Sequence, residues 1–227
     1  MAGRSDLLNF LLQQDDLISE DVVAAACERK DRESVRLLLD SGWPIDKPVQ
    51  TAASLLCIAV EDADFTQWLV QNGADVNATS SLDEIALSVA VARGSMETVR
   101  CLLSQGADIA HGDLLHCAAQ RGDQVEGAEL VVLLVQRGAD VNSYRYNNPI
   151  ALRWRGAFKL PTPLHVASDH RNLPVTQTLL RNGADPHRKM LVAGTPASTT
   201  PLEISYERND QALIALLHTA TLPAVPA

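Results

Sequence analysis

A short motif that begins with glycine recurs five times along this chain of 227 residues and constrains its fold more than any other feature. Successive copies begin 31, 33, 32 and 45 residues apart. A leucine-rich stretch at helical spacing precedes each copy, so the glycine stands where a helix can end in a left-handed conformation. A period near 33 residues predicts one supersecondary unit that is used repeatedly. The five copies are Gly42-Trp43-Pro44-Ile45-Asp46, Gly73-Ala74-Asp75-Val76-Asn77, Gly106-Ala107-Asp108-Ile109-Ala110, Gly138-Ala139-Asp140-Val141-Asn142 and Gly183-Ala184-Asp185-Pro186-His187.

A second motif, Thr162-Pro163-Leu164-His165-Val166-Ala167, predicts the start of a helix. Proline is tolerated at the first helical position, because the N–H group that it lacks has no partner there. Threonine immediately before it is a suitable N-cap. Weaker copies occur around Leu87, Leu115 and Leu202. Each unit is therefore predicted to contain a capped first helix, a turn, a second helix and a glycine-containing loop.

These two motifs, in this order and at this period, resemble the ankyrin repeat over about residues 20–218. The resemblance implies an all-α ankyrin-repeat solenoid of about six helix–turn–helix repeats, with hairpin-like fingers that line a concave face with the first helices. It also implies that the motif histidines, His116 and His165, make structural hydrogen bonds between adjacent repeats. We expect one domain over residues 1–220, with an extra N-terminal helix from Ser5 to Gln14 and an irregular tail at 221–227. The expected repeats lie near 20–46, 51–77, 82–110, 112–142, 160–187 and 200–218.

Two of the fingers are longer than the repeat requires. In the two regular copies, 14 positions separate the closing glycine from the leucine of the next motif. The separation is 26 between Gly138 and Leu164 and 19 between Gly183 and Leu202. These insertions of 12 and 5 residues flank the same unit. Insertions in solenoids map to loops on one face, often the binding face, although a surface insertion can also be neutral.

Charge and aromatic residues are unevenly distributed along the chain. The whole chain has 19 Lys and Arg against 28 Asp and Glu, a net charge of -9, which argues against a general DNA-binding protein. Residues 143–190, however, contain eight basic and two acidic residues, which gives +6 there and leaves -15 for the remainder. The long finger at 143–160 also carries four of the nine aromatic residues. Tyr, Trp and Arg are the side chains that most often anchor interfaces.

We therefore predict a partner-binding site on and around the long finger. The pattern Arg153-Trp154-Arg155 places two guanidinium groups around one indole, which suits a carboxylate or phosphate beside an apolar group. His170 follows Asp169 at the end of the first helix of the flanked unit, where side chains contact partners by family analogy. The predicted partner-binding residues are Tyr144, Tyr146, Arg153, Trp154, Arg155, Phe158, Asp169, His170, Arg188 and Lys189.

Three functions remain open from the sequence. The first is a non-enzymatic protein-binding scaffold or adaptor that recognises an acidic or phosphorylated, partly apolar segment of another protein. The alternative is a small-molecule-binding or catalytic protein, with a pocket under the 143–160 finger and Tyr and His side chains as acid and base. A further alternative is nucleic-acid binding, which the surrounding charge of -15 opposes.

The cysteines and the hydropathy pattern point to an intracellular protein, cytoplasmic or nuclear. The four cysteines form no Cys-x-x-Cys pair and have no zinc-ligand spacing with histidine, so we expect free thiols in a reducing compartment. No stretch approaches the roughly 18 apolar residues of a membrane span. We predict no metal, no cofactor and no membrane partner, and no catalytic residue is assigned.

Overall fold

The computed structural model describes residues 19–49, 54–80, 83–146 and 158–221. The chain divides into two compact units, with Asp108 as the last residue of unit 1 and Ile109 as the first residue of unit 2. The expected helix from Ser5 to Gln14 and residues 222–227 of the expected tail lie outside the described residues. A single domain over residues 1–220 stays a prediction.

Unit 1 contains three pairs of helices among its described residues. Its helices are α1 (Glu20–Glu28), α2 (Arg32–Asp40), α3 (Leu55–Ala59), α4 (Ala63–Gln71), α5 (Ala86–Arg93) and α6 (Met96–Ser104). The first helices of successive pairs pack on each other, α1 on α3 and α3 on α5, and the second helix α4 packs on α6. Large apolar side chains such as Leu38, Leu69 and Leu102 are fully buried between these helices.

Among its described residues, unit 2 repeats this arrangement with three further pairs of helices and adds three short strands. Its helices are α7 (Leu114–Ala119), α8 (Gln124–Gln136), α9 (Pro163–Asp169), α10 (Leu173–Arg181), α11 (Pro201–Glu207) and α12 (Gln211–Thr221). Its strands are β1 (Lys159–Leu160), β2 (Leu191–Val192) and β3 (Thr195–Pro196). The first helices α7, α9 and α11 stack in that order, and so do the second helices α8, α10 and α12.

The helix ends follow the local signals in the sequence. The side chain of Asp62 accepts a hydrogen bond from the backbone N–H of Phe65 at the start of α4. At the end of α4, Ala74 N–H donates to Leu69 O (3.1 Å). Gly73, at φ +95°, donates its N–H to Val70 O (3.0 Å). This Schellman arrangement needs a residue in the left-handed backbone conformation, which glycine adopts without a steric cost. All five closing glycines have φ between +87° and +98°.

The two motif histidines link adjacent repeats inside unit 2. Both are fully buried, and burial lowers the pKa of His116 to about 3 and that of His165 to about 4. The rings are therefore neutral at pH 7. Nε2 of His116 lies 3.1 Å from Pro161 O, and Nε2 of His165 lies 3.2 Å from Thr199 O. The structural role implied by the family resemblance is confirmed.

Asparagine side chains join consecutive fingers at the same repeat position in both units. Asn142 Nδ2 donates to Gly183 O (3.0 Å), and its Oδ1 accepts from Asp185 N–H (2.8 Å). Asn77 makes the equivalent two hydrogen bonds: its Nδ2 donates to Gly106 O (3.2 Å), and its Oδ1 accepts from Asp108 N–H (2.8 Å). The asparagine of the Gly-Ala-Asp-Val-Asn motif thus fixes each of these fingers to the next one.

Candidate functional site

The two long fingers of unit 2 meet in a small antiparallel sheet. Strand β1 belongs to the first long finger, and β2 and β3 form a hairpin in the second. Lys159 pairs with Val192 and Leu160 with Leu191, while Val192 also pairs with Thr195 on its other side. The two insertions that flank the α9–α10 pair are therefore joined by main-chain hydrogen bonds, which hold them in one orientation.

A cavity of about 290 Å³ lies beside this sheet, against the ends of α9 and α11. Apolar side chains that are largely buried in the core, among them Val166, Met190 and Ile204, form part of its lining. Arg145 and Lys159 are its two cationic residues. The complete lining is Arg145, Lys159, Pro161, Val166, Asp169, His170, Met190, Thr199, Ile204 and Glu207. The site thus combines an apolar surface with charged groups of both signs.

Asp169, one of the two acidic lining residues, is paired with an arginine from the next repeat. Arg208 Nε donates to Asp169 Oδ1 at 2.9 Å, and the nearby carboxylate raises the pKa of Arg208. Arg171 Nη2 in turn donates to Arg208 O at 2.8 Å. The negative charge of Asp169 is therefore balanced by a partner, while Glu207 also contributes a carboxylate to the lining.

Arg145 is held in place from both its backbone and its side chain. Its N–H donates to Pro161 O (2.9 Å), and its Nη1 lies 3.4 Å from Gln120 Oε1, an uncharged acceptor. The guanidinium carbon is 5.0 Å from the ring centroid of Tyr146. Tyr146 has φ +58°, an unusual left-handed conformation for tyrosine, and its N–H donates to the Asp113 carboxylate (3.0 Å). This anchored turn presents Arg145 to the cavity.

Several of the residues predicted for the site lie together in this region. Tyr144 OH donates to Lys189 O (3.0 Å), and the guanidinium carbon of Arg188 is 4.6 Å from the Tyr144 ring centroid. The side chain of Phe158 is 61% exposed at the end of the long finger. Asp169 and His170 line the cavity. Arg153, Trp154 and Arg155 lie outside the described residues.

Sequence reasoning missed four of the lining residues with functional side chains. Arg145 stands between the two predicted tyrosines, and this position was a usable signal. Glu207 occupies the repeat position that Asp169 occupies one unit earlier, so the repeat register could also have found it. Lys159 and Met190 are brought to the cavity by the β1–β2 pairing, for which the sequence offered no signal.

The geometry does not support His165 as an acid or base. Its Nδ1 accepts from Thr162 N–H (3.2 Å), and its Nε2 is bonded to Thr199 O. With both ring nitrogens occupied and no exposed surface, the imidazole cannot exchange protons with a ligand in the cavity. In the part of the chain that the structure describes, no cluster of three or more His, Cys, Asp or Glu has a metal-site arrangement. None of the helices described is long and apolar enough to cross a membrane.

Family models for ankyrin repeats match just over half of the chain. One, in three copies, covers residues 55–145, and a second covers residues 162–190. The B-cell lymphoma 3 protein homolog of Mus musculus is 32% identical over 173 residues, which is 71% of this chain and 35% of that protein. The mitochondrial disaggregase of Bos taurus is 34% identical over 131 residues, 56% of this chain and 18% of that protein. The chain therefore spans about a third or less of the length of these relatives.

Solved structures are similar to nearly the whole chain. The ankyrin repeat domain of human ASB11 matches with a TM-score of 0.65 at 20% identity, covering 90% of this chain and 85% of that domain. The ankyrin repeat domain of Bcl-3, described as a member of the IkappaB protein family, matches with a TM-score of 0.64 at 22% identity. That match covers 89% of this chain and 87% of the Bcl-3 domain. At such identities the likeness shows the fold.

Proposed function

Because this chain belongs to the ankyrin repeat family and has its all-α solenoid fold, we propose that it is a scaffold that binds another protein at the cavity between its two long fingers. Ankyrin repeats are generally protein–protein interaction scaffolds. The proposed occupant is an acidic or phosphorylated, partly apolar segment of the partner. The proposed location is inside the cell, in the cytoplasm or nucleus, and the absence of a disulfide at any of the four described cysteines, Cys27, Cys57, Cys101 and Cys117, supports it.

The observation that carries this proposal is the pairing of an apolar surface with two cations in one cavity. A volume of about 290 Å³ is at the lower end of the range for small-molecule pockets, and it suits one or two side chains of a peptide. An apolar side chain would contact Val166, Met190 and Ile204. A neighbouring carboxylate or phosphate would then lie close to Arg145 and Lys159.

The distribution of charge in the lining gives the proposed site a direction. Glu207 would repel a negative group placed against α11, where Asp169 is already paired with Arg208, whereas Arg145 and Lys159 attract it on the side of the first long finger. A bound segment would therefore have one preferred orientation. The tip residues Tyr144, Phe158, Arg188 and Lys189, with His170, extend the proposed surface beyond the cavity. The remaining predicted residues, Tyr146, Arg153, Trp154 and Arg155, stay part of the proposal.

The test uses labelled peptides of matched length in which Leu or Phe alternates with Glu or phosphoserine, with a serine-substituted set as reference. Binding to the full chain is measured by fluorescence anisotropy. The double variant Arg145→Glu, Lys159→Glu is expected to weaken binding of the acidic peptides by about tenfold or more. The double variant Arg29→Glu, Arg100→Glu, which reverses two exposed charges in unit 1, is the charge-matched control and should leave binding unchanged.

Two results would contradict the proposal. One is equal binding of the acidic and the serine-substituted peptides, because the cations would then contribute nothing to recognition. The other is an equal loss of affinity in both double variants, because the effect would then depend on net charge and not on where the charges lie.

A further inference from the structure

Three Thr-Pro dipeptides occur in the sequence, and there is no Ser-Pro dipeptide. Thr-Pro is the minimal recognition unit of proline-directed protein kinases, which bind an accessible and extended backbone. The three pairs begin at Thr162, Thr195 and Thr200. Their structural surroundings differ sharply, and this difference separates one of them from the other two.

Thr162 and Thr200 are helix caps. Thr162 precedes α9 and is 1% exposed. Thr200 precedes α11, where its Oγ1 accepts from Glu203 N–H (3.3 Å) and its own N–H donates to the Glu203 carboxylate (2.6 Å). In both pairs the proline begins the helix and is buried. A kinase could not engage either site without unfolding a helix end.

Thr195 lies in a different environment, at the start of the outer strand β3. It follows a tight turn formed by Ala193 (φ +50°) and Gly194 (φ +77°), and both Thr195 and Pro196 are exposed. The hydroxyl of Thr195 donates to Val192 O at 2.8 Å, a bond at the surface that water or a kinase can replace. The hairpin therefore presents an extended Thr-Pro pair to solvent.

We propose that Thr195 is a phosphorylation site for a proline-directed Ser/Thr kinase. The kinase transfers the γ-phosphoryl group of ATP to Thr195 Oγ1. The hydroxyl proton passes to the catalytic base of the kinase, the bond between the β-phosphate oxygen and the γ-phosphorus breaks, and ADP leaves. The product carries a charge of about -1.5 to -2 at pH 7 on the tip of the second long finger.

The register of the sheet places this new charge opposite a cation of the cavity. Lys159 pairs with Val192, and Val192 pairs with Thr195, so all three side chains project from the same face. Two interstrand spacings, about 10 Å, separate the backbones of Lys159 and Thr195, and both the lysine and the phosphothreonine can reach across Val192. The phosphate would pair with Lys159 and withdraw its charge from the cavity. This consequence, unlike the modification itself, rests on the proposed function.

The modification is tested on the folded full-length chain with a recombinant proline-directed kinase, ATP and Mg²⁺, followed by peptide mapping by mass spectrometry. We expect one phosphate per chain, on Thr195, and none after Thr195→Val, which keeps the β-branched shape. Synthetic peptides spanning each of the three Thr-Pro pairs should all be substrates, because in the proposal it is the folded structure, and not the local sequence, that makes Thr195 the accessible site. Thr195 left unmodified, or Thr162 or Thr200 modified in the folded chain, overturns the proposal.

The pairing with Lys159 has its own readout, which needs no partner. In a ³¹P NMR titration, the second pKa of the phosphate should be lower in the unaltered chain than in Lys159→Gln, and equal values would overturn the pairing. Phosphorylation should also weaken binding of the acidic peptides by about threefold to tenfold. If the unmodified chain binds no acidic peptide, the proposed function fails while the mapping of Thr195 still decides the modification.

Discussion

Replacing Gly127 by alanine should destabilise unit 2, although the same change stabilises most helices. Gly127 lies inside α8 and is buried. A Cβ atom there would be 2.8 Å from Ala118 O of α7 and 3.2 Å from a methyl carbon of Val175 on α10. The first neighbour is a backbone atom, which cannot rotate away. The glycine thus permits the close approach of three helices, and this is the physical reason for its presence.

The expected magnitude follows from two opposing effects. Glycine is about 0.8–1 kcal/mol less favourable than alanine in a helix interior, so helix propensity alone predicts stabilisation of that size. Overpacking a buried site costs about 1–3 kcal/mol, and contact with a rigid carbonyl favours the upper half of this range. We therefore expect a net loss of about 1–2 kcal/mol in the free energy of unfolding.

The assay is urea unfolding followed by circular dichroism, together with hydrogen exchange of the α7, α8 and α10 amides. Gly122→Ala is the matched control, because a Cβ atom at Gly122 would have no heavy atom within 4 Å. This control should change the stability by less than about 0.5 kcal/mol. If Gly127→Ala instead raised the urea midpoint, propensity would dominate, and the argument from helix packing would be refuted.

Three further outcomes follow from the contacts of single residues. Since the folded-state pKa values of His116 and His165, about 3 and 4, lie below their usual 6.5, the unfolded chain binds protons first on acidification. The free energy of unfolding from urea titrations should therefore fall from pH 6.5 towards pH 4, by up to about 2.7 kcal/mol per pH unit for two histidines, and a flat profile would contradict this. Asn142→Ala and Asn77→Ala should each cost about 1–2 kcal/mol in urea unfolding, because each removes two hydrogen bonds between fingers; no change in either would refute the bridging role. Asp169→Ala should leave the urea midpoint nearly unchanged, since its ion pair is exposed, and a clear fall in the midpoint would show that the pair is structurally essential.

The repeat motifs were enough to predict the helices and most of their ends. The signals for a cap at Thr162 or a left-handed glycine at Gly73 act within one or two turns of chain, so they can be read without knowing the fold. The stacking of the repeats could also be predicted from the sequence, because each helix pair packs mainly on its neighbours in sequence. The structural role of His165 was predictable for the same reason: its partner lies in the next repeat.

The candidate site could be only partly predicted. The two insertions and the excess of basic residues at 143–190 indicated the region, and Tyr144, Asp169, His170 and Arg188 do lie there. The predicted anchors Arg153, Trp154 and Arg155 remain untested predictions. The cavity itself depends on which side chains the two fingers bring together, and no local pattern reports that.

By itself, the sequence determined a repeated helix–turn–helix unit, its period and the place where that period is interrupted. Only the tertiary structure decided the β1–β2–β3 pairing that brings Lys159, Val192 and Thr195 onto one face. Strands of two residues have too few side chains to show an alternating pattern, and their partners are about 30 residues apart. Their pairing is therefore fixed by the helices between them, which hold the two fingers side by side.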